Sequence, residues 1–244
     1  MCNLYRPPTR EDIRQRWLPE MQSPPPEWSE VRPTVSGPFL RADGGGRLEL
    51  AEGRWGLVPD FHDKPLFKWQ ASTNNARWEG DQKQGPAFRQ TFAPSWWAGK
   101  RCLIPTDWFS EPSWETGRSV PWKFTAVDGK PFSLAGLWNT WHGPEGEVVE
   151  TYTMIMINAN DHPLMGRMHE PERDKWGVPL PADQQDKRMA VVIGAANEDL
   201  WLRGSPDEAA ALVTPWPAEI MTGQPMIAAK GGRAGRDPYT LDLF

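Results

Sequence analysis

The sequence of 244 residues is poor in cysteine and histidine and contains no long apolar run. Two cysteines exclude a disulfide framework and a four-cysteine zinc site, and the four histidines do not show a zinc-ligand spacing. No stretch reaches the roughly 18 apolar residues of a membrane-spanning helix. The first dozen residues lack the apolar segment of a signal peptide. These absences predict a protein of the reducing cytoplasm that binds neither a metal nor a membrane.

Tryptophan, proline and glycine are abundant instead, with 15, 26 and 22 residues. The prolines and glycines predict many turns and few long helices. Tryptophan suits both a protein core and a platform for stacking nucleobases. The net charge is −5, but residues 61–101 carry seven basic and three acidic side chains, a local charge of +4. A phosphate backbone could lie along this segment, although a solvated surface patch would have the same charge.

Turn and cap residues predict two short helices and one turn. A short helix is expected over residues 10–18, with Thr9 as its N-cap. Another is expected over 197–203, ending at Gly204. The dipeptide Asp128-Gly129 predicts a hairpin turn between two strands.

Short β-branched and aromatic stretches predict that strands dominate the fold. Because they do not alternate regularly with helices, we expect an α+β fold around a curved, mainly antiparallel sheet. One domain is expected over residues 1–228, followed by a basic, mobile tail over 229–244. The predicted strands are Arg47–Ala51, Arg101–Pro105, Trp122–Val127, Phe132–Trp138, Thr151–Asn158 and Met189–Ile193.

Cys2 is the first residue with distinctive chemistry. Removal of Met1 by a methionine aminopeptidase would leave Cys2 with a free α-amine beside its thiol. Both groups are partly nucleophilic near neutral pH. Such an aminothiol condenses with an aldehyde to an imine, and the thiol then closes a thiazolidine ring. An internal cysteine cannot do this, because its nitrogen belongs to an amide.

A second candidate segment is Asn74-Asn75-Ala76-Arg77-Trp78-Glu79. In extended backbone Asn75, Arg77 and Glu79 share one face. The amide could orient a substrate oxygen and the guanidinium could hold a phosphate. A structural ion pair between Arg77 and Glu79 is the alternative.

Two further segments offer groups for proton transfer. Glu111 follows a predicted strand among aromatic residues, where desolvation would raise its pKa and suit it to acid–base catalysis. An exposed loop carboxylate is the alternative. His162 and His169 follow another predicted strand, and a histidine there can transfer a proton near pH 7.

Taken in order, these segments resemble the SOS-response-associated peptidase (SRAP) family of abasic-site processing proteins. The resemblance runs from Cys2 to about residue 195. The matching segments are Met1-Cys2, Trp55-Gly56-Leu57-Val58-Pro59, Asn75-Ala76-Arg77-Trp78-Glu79, Arg101-Cys102-Leu103-Ile104-Pro105 followed by Glu111, and Ala135-Gly136-Leu137-Trp138 ahead of His169. The sequence departs from the family pattern after Cys2, after Glu111 and around His169, which leaves His162 as an alternative to His169.

The resemblance implies a compact domain with a positively charged DNA-binding groove. It implies recognition of abasic sites in single-stranded DNA by a monomer, during the DNA damage response, with the protein associated with the nucleoid when bound. The protein would form a covalent thiazolidine crosslink to the abasic site through Cys2, without a metal or organic cofactor. A lyase side reaction and an autopeptidase reaction would accompany it. The implied catalytic residues are Cys2, Asn75, Glu111 and His169, and the implied DNA contacts are Arg77, Phe61, His62, Arg6, Lys64 and Arg89.

Two other interpretations of the same residues stay open. An N-terminal-nucleophile hydrolase or amidotransferase would also use a processed Cys2, with its amine as the base. A non-catalytic module for single-stranded DNA would use the basic segment 61–101 and surface tryptophans. Glutamine turnover distinguishes the first from crosslinking, and equal affinity for intact and abasic strands identifies the second.

Overall fold

The computed structural model of the protein describes residues 2–79 and 90–226. The strands of these ranges are β1 (Leu4–Arg6), β2 (Ser36–Ala42), β3 (Leu48–Trp55), β4 (Asn75–Arg77), β5 (Arg101–Thr106), β6 (Trp108–Ser113), β7 (Val120–Ala126), β8 (Phe132–His142), β9 (Val148–Asn158), β10 (Arg188–Ala190), β11 (Val192–Ile193) and β12 (Met221–Pro225). The α-helices are α1 (Arg10–Trp17), α2 (Ala93–Trp97), α3 (Glu198–Arg203) and α4 (Pro206–Ala210). None of the helices in the described part of the chain is long and apolar enough to cross a membrane.

The larger sheet closes on itself. Its strands follow the order β9-β3-β2-β5-β8, and β8 then pairs with β9 again. All pairings around this ring are antiparallel except the short one between β3 and β9. The result is a five-stranded barrel, and closure leaves few free strand edges. The expected α+β fold with a curved, mainly antiparallel sheet is therefore confirmed.

The barrel interior holds large side chains whose polar atoms are satisfied. The hydroxyl groups of Tyr5 and Tyr152 lie 2.5 Å apart, and the indole N–H of Trp55 donates to the Asn74 carbonyl at 2.8 Å. Gly37 lies against both tyrosines, since a Cβ there would come within 2.5 Å of each hydroxyl oxygen. Only glycine fits at that position, so the interior is closely packed around this pair.

A smaller sheet with the strand order β1-β6-β7-β12 packs beside the barrel. Phe109 of β6 stacks on Phe124 of β7 at 5.5 Å and contacts Phe132 of the barrel at 6.2 Å. Both sheets belong to one hydrophobic core. Because β1 starts at Leu4, this packing carries the beginning of the chain to the boundary between the sheets.

The predicted strands are confirmed in position, with ends shifted by up to four residues. Met189–Ile193 is divided into β10 and β11, because β10 pairs with β9 and β11 pairs with β8. The predicted hairpin at Asp128-Gly129 is wrong. A turn is present there, but β7 and β8 on its two sides belong to different sheets.

Both predicted helices are confirmed as α1 and α3. The Thr9 side chain accepts a hydrogen bond from the Asp12 backbone N–H, as an N-cap does, whereas Asn197 makes no side-chain cap bond. Arg89 and the predicted tail over 229–244 lie outside the described residues.

Candidate active site

Cys2 lies at the boundary between the two sheets and is fully buried. Its thiol donates to the Leu4 carbonyl at 3.6 Å. Its own carbonyl accepts from the side-chain amides of Asn75, at 2.8 Å, and Asn74, at 3.3 Å. Burial, and then the negative charge of Glu111, raise the pKa of the Cys2 thiol. The thiol is therefore protonated at neutral pH, and any nucleophilic attack by it would require a proton acceptor.

Glu111 of β6 supplies a carboxylate at the same place. The residue is fully buried, and its Oε2 accepts a hydrogen bond from Nε2 of His169 at 2.8 Å. Burial alone raises the pKa of Glu111, but the chain's amino-terminal group and His169 outweigh it and hold the pKa below its ordinary value. The sequence-based expectation of a raised pKa is thus wrong in direction, because it counted burial and not the neighbouring positive groups.

His169 is held in an unusual backbone conformation. Its φ is +63°, in the left-handed region that a non-glycine residue seldom adopts. Its N–H donates to the Pro112 carbonyl at 2.7 Å, and its carbonyl accepts from Nζ of the buried Lys187 at 2.9 Å. Among the described residues, its buried Nδ1 has no hydrogen-bond partner. Such locally strained residues concentrate at functional sites, where the surrounding structure holds them in place.

His162 lies seven residues earlier and has a different environment. Its Nδ1 accepts from the backbone N–H groups of Leu164 and Met165, at 3.2 and 3.0 Å. Its Nε2 donates to the Trp216 carbonyl at 2.8 Å. Both ring nitrogens are thereby occupied by backbone groups. The structure brings His169, and not His162, to Glu111.

The segment 74–79 is extended, and each of its polar side chains contacts a different part of the protein. Asn75 is buried beside Cys2, and its Oδ1 has no hydrogen-bond partner in the part of the chain that the structure describes. Arg77 is half exposed and lies 2.8 Å from a carboxylate oxygen of Asp186. Glu79 pairs with Arg188 at 2.6 Å. The alternative of an ion pair between Arg77 and Glu79 is therefore not observed.

In addition to Arg77, four of the predicted DNA contacts are among the described residues. Phe61, Arg6 and Lys64 are exposed. His62 is buried, with its ring 5.1 Å from that of Trp69 and 5.6 Å from that of Trp141. His62 thus packs against two indole rings, and its role as a DNA contact stays a prediction.

Two residues of the site were missed by sequence reasoning. Asn74 shares the Cys2 carbonyl with Asn75, and its place in an Asn-Asn pair was the available signal. Lys187 supports the backbone of His169 from 18 residues away along the chain. No local pattern marks that contact, since the fold alone brings the two together. Within residues 2–79 and 90–226, the structure holds no cluster of three or more potential metal ligands.

Comparison with known proteins places the chain in a family. The model of the SOS response associated peptidase (SRAP) family matches residues 1–229. The chain belongs to the SRAP family. One relative, the abasic site processing protein YoqW of Bacillus subtilis, is 28% identical over 183 residues, 72% of this chain and 69% of YoqW. HMCES of Xenopus tropicalis, also called an abasic site processing protein, is 27% identical over 173 residues, 63% of this chain and half of HMCES.

Solved structures of similar proteins share the SRAP chain's fold. A crystal structure of a protein from Bordetella bronchiseptica superposes with a TM-score of 0.76 and 28% identity, covering 93% of this chain and 100% of that one. A protein from Bacteroides thetaiotaomicron gives a TM-score of 0.67 at 20% identity, which shows the fold alone. The barrel and its companion sheet are therefore a shared architecture.

Proposed function

We propose that this SRAP-family protein captures abasic sites in single-stranded DNA by forming a thiazolidine crosslink through Cys2 after Met1 is removed. The observation that carries the proposal is the convergence of four groups at the start of the chain. The Asn75 amide donates to the Cys2 carbonyl, His169 contacts the buried Glu111 carboxylate, and the charge of Glu111 acts on the Cys2 thiol. The names of YoqW and HMCES support abasic DNA as the substrate class.

The first step opens the deoxyribose ring of the abasic site. Glu111 has a lowered pKa in the chain that carries Met1, and His169 still donates to it after Met1 is removed, so its carboxylate can take the proton of the C1′ hydroxyl. A proton returns to the ring oxygen through the pair of Glu111 and His169 as the C1′–O4′ bond breaks. The product is an open sugar with an aldehyde at C1′ and a hydroxyl at C4′. The Asn75 amide lies beside Cys2, and its Oδ1, which has no partner among the described residues, can orient these sugar oxygens.

The second step joins Cys2 to the aldehyde. The α-amine attacks C1′, and the carbinolamine loses one water to give an imine. Glu111 takes the proton of the Cys2 thiol while the sulfur adds to C1′, and the imine nitrogen gains a proton to become a secondary amine. The overall reaction joins aldehyde and aminothiol with loss of one water. Burial disfavours a free thiolate, so a carboxylate next to the thiol is what permits ring closure.

Two side reactions follow from the same intermediate and the same nucleophile. Loss of the C2′ proton from the imine allows β-elimination of the 3′ phosphate, which is a lyase reaction. Autocatalytic removal of Met1 would be a peptidase reaction of the same Cys2. The pair of Glu111 and His169 is the proton acceptor available to either.

DNA binding by a monomer would use the exposed groups around the site. Arg77 and Arg6 can contact phosphates, and Phe61 can stack on a base. Lys64 adds positive charge next to Phe61. Because phosphates and stacking dominate such binding, affinity should fall with salt and vary little with sequence.

The test is incubation with a single strand containing one abasic site, followed by a denaturing gel and intact mass. The wild-type protein should lack Met1 and give a covalent product with the mass of the sum less one water. Cys2→Ala should give none. Cys102→Ala is the matched control, because Cys102 is equally buried but lies in β5 of the barrel, and its product should be unchanged. A crosslinked protein that retains Met1 would contradict the proposal.

A further inference from the structure

A second polar feature lies next to Cys2. It is a cavity of about 220 Å³ between the end of β3 and residues 69–74. Asn74 forms part of its wall and at the same time donates to the Cys2 carbonyl. Asn74 therefore connects this cavity to the backbone of Cys2. The lining contains an arginine and no acidic residue, so the cavity carries a positive charge.

The charge comes from Arg54, the arginine of the cavity wall. Its Nη1 donates to the Gly56 carbonyl at 2.7 Å. Gly56 has φ +140°, and a Cβ there would lie 2.7 Å from that Nη1. Glycine is thus required for the guanidinium to fold back against the chain. A side chain at this position would push the guanidinium out of the cavity wall.

Arg54 has no carboxylate partner among the described residues. Its single protein acceptor there is the Gly56 carbonyl, which leaves several guanidinium N–H groups available. Partial burial lowers the pKa of Arg54, which reflects the cost of desolvating an unpaired cation. A half-buried cation without a counter-ion is energetically favoured once an anion binds beside it.

Thr73 provides a second donor at the same cavity. It is buried, and its Oγ1 accepts from the indole N–H of Trp69 at 3.3 Å. Because that contact uses a lone pair of the oxygen, the hydroxyl proton stays available for another acceptor. The lining also includes Thr34, a β-branched residue held at φ +71°. Strained backbone of this kind is common where a ligand is clamped.

We propose that this cavity binds a phosphodiester of the DNA strand, adjacent to the sugar held by Cys2. Two N–H groups of Arg54 and the hydroxyl of Thr73 would donate to the phosphate oxygens, the geometry that guanidinium groups favour. The subsite fixes the register of the strand, so that the neighbouring sugar lies at the nucleophile. This inference rests on the proposed function for the identity of the strand.

The first experiment measures non-covalent binding to a strand carrying tetrahydrofuran, an abasic analogue that cannot open to an aldehyde. Arg54→Met should lower affinity about tenfold, because a charge-assisted contact is lost. The slope of log affinity against log salt should become shallower by about 0.7, the value for one phosphate of single-stranded DNA. Thr73→Val should give a smaller loss without changing the slope. Equal slopes for Arg54→Met and wild type would overturn the proposal.

Arg47→Met is the matched control. Arg47 is an exposed arginine paired with Asp43 and lies just before β3. The Arg47→Met variant loses the same charge from the same region of the sequence. Its affinity for the strand and its slope of log affinity against log salt should stay near those of the wild type. An equal loss in Arg47→Met would mean that general charge, and not the cavity, is responsible, which also overturns the proposal.

A methylphosphonate scan identifies the phosphate. Replacing one phosphodiester at a time by neutral methylphosphonate should weaken wild-type binding at one linkage next to the lesion. In Arg54→Met, a methylphosphonate at that one linkage should no longer weaken binding. Two results together would overturn the proposal. They are that no single methylphosphonate weakens wild-type binding, and that inorganic phosphate stabilises the wild type but not Arg54→Met. The cavity would then bind free anions and not a phosphodiester of the strand. The tetrahydrofuran strand keeps this result separate from crosslinking, whose failure would be seen only on a natural abasic strand.

Discussion

The segments around His162 and His169 follow the same strand, β9, yet they are built in opposite ways. His162 uses both ring nitrogens for backbone groups, so its hydrogen-bonding capacity is spent within the fold. His169 lies on left-handed backbone, with one ring nitrogen on a carboxylate and the other buried without a partner among the described residues. Buried polar groups are usually satisfied, so an unsatisfied one on strained backbone indicates a role toward a ligand.

The largest effect should come from His169. His169→Asn should lower the rate of crosslink formation by about 100-fold or more, the usual range for a general acid–base group. Asparagine tolerates left-handed backbone, so the loss of unfolding free energy should be limited to that of the Glu111–His169 contact, about 1–3 kcal/mol. Single-turnover gels and urea denaturation measure the two quantities. A large stability loss with a normal rate would reverse the assignment of the two histidines.

His162 should show the opposite pattern. His162→Ala leaves two backbone N–H groups and one carbonyl without their partner, and should cost about 2–4 kcal/mol of unfolding free energy. The rate of crosslinking by the protein that stays folded should change less than threefold. The comparison fails if the folded His162→Ala protein is as inactive as His169→Asn.

Lys187 tests whether the backbone of His169 needs its support. Lys187→Met removes the donor to the His169 carbonyl, and should slow crosslinking about tenfold with unchanged DNA affinity. Lys187→Arg retains a positive donor and should restore part of the rate. A loss of affinity instead of rate would show that Lys187 contacts DNA.

The smallest effect concerns pH. The pKa of Glu111 is lower in the folded protein than its ordinary value of about 4.3, which applies to the unfolded chain. Its ionised form therefore stabilises the fold above that pH, and the contribution is lost as the pH falls through the lower folded value. Wild type should lose unfolding free energy below about pH 4.5 more steeply than Glu111→Gln. Parallel curves in urea titrations at several pH values would contradict this.

Sequence patterns predicted much of the fold, because short apolar stretches between turns are a local signal. The strands that became β3, β5, β7, β8 and β9 were all visible in this way. β1, β2, β6 and β12 were not predicted, since they are short or contain glycine or proline. The hairpin at Asp128-Gly129 failed for a related reason, because turn residues do not specify which sheet each flanking strand joins.

Some residues of the candidate site could likewise be predicted from the sequence, and others could not. Cys2, Asn75 and Glu111 could be singled out because their chemistry and position are local properties of the sequence. The packing of the His62 ring against two indole rings could not be predicted, nor could the hydrogen bond from Lys187 to the His169 carbonyl. Both depend on how the fold brings side chains together. Their catalytic and DNA-binding roles stay predictions.

The sequence by itself determined the family and many of the strands, and it singled out Cys2 as the proposed nucleophile, because residue type and order carry that information. The tertiary structure decided that His169 and not His162 meets Glu111, and that neighbouring positive groups lower the pKa of this buried carboxyl. It also placed Arg54, which has no carboxylate partner among the described residues, in a cavity whose lining includes Asn74. These outcomes depend on distances, and in a closed barrel the distances between side chains are set by strand pairings far apart along the chain.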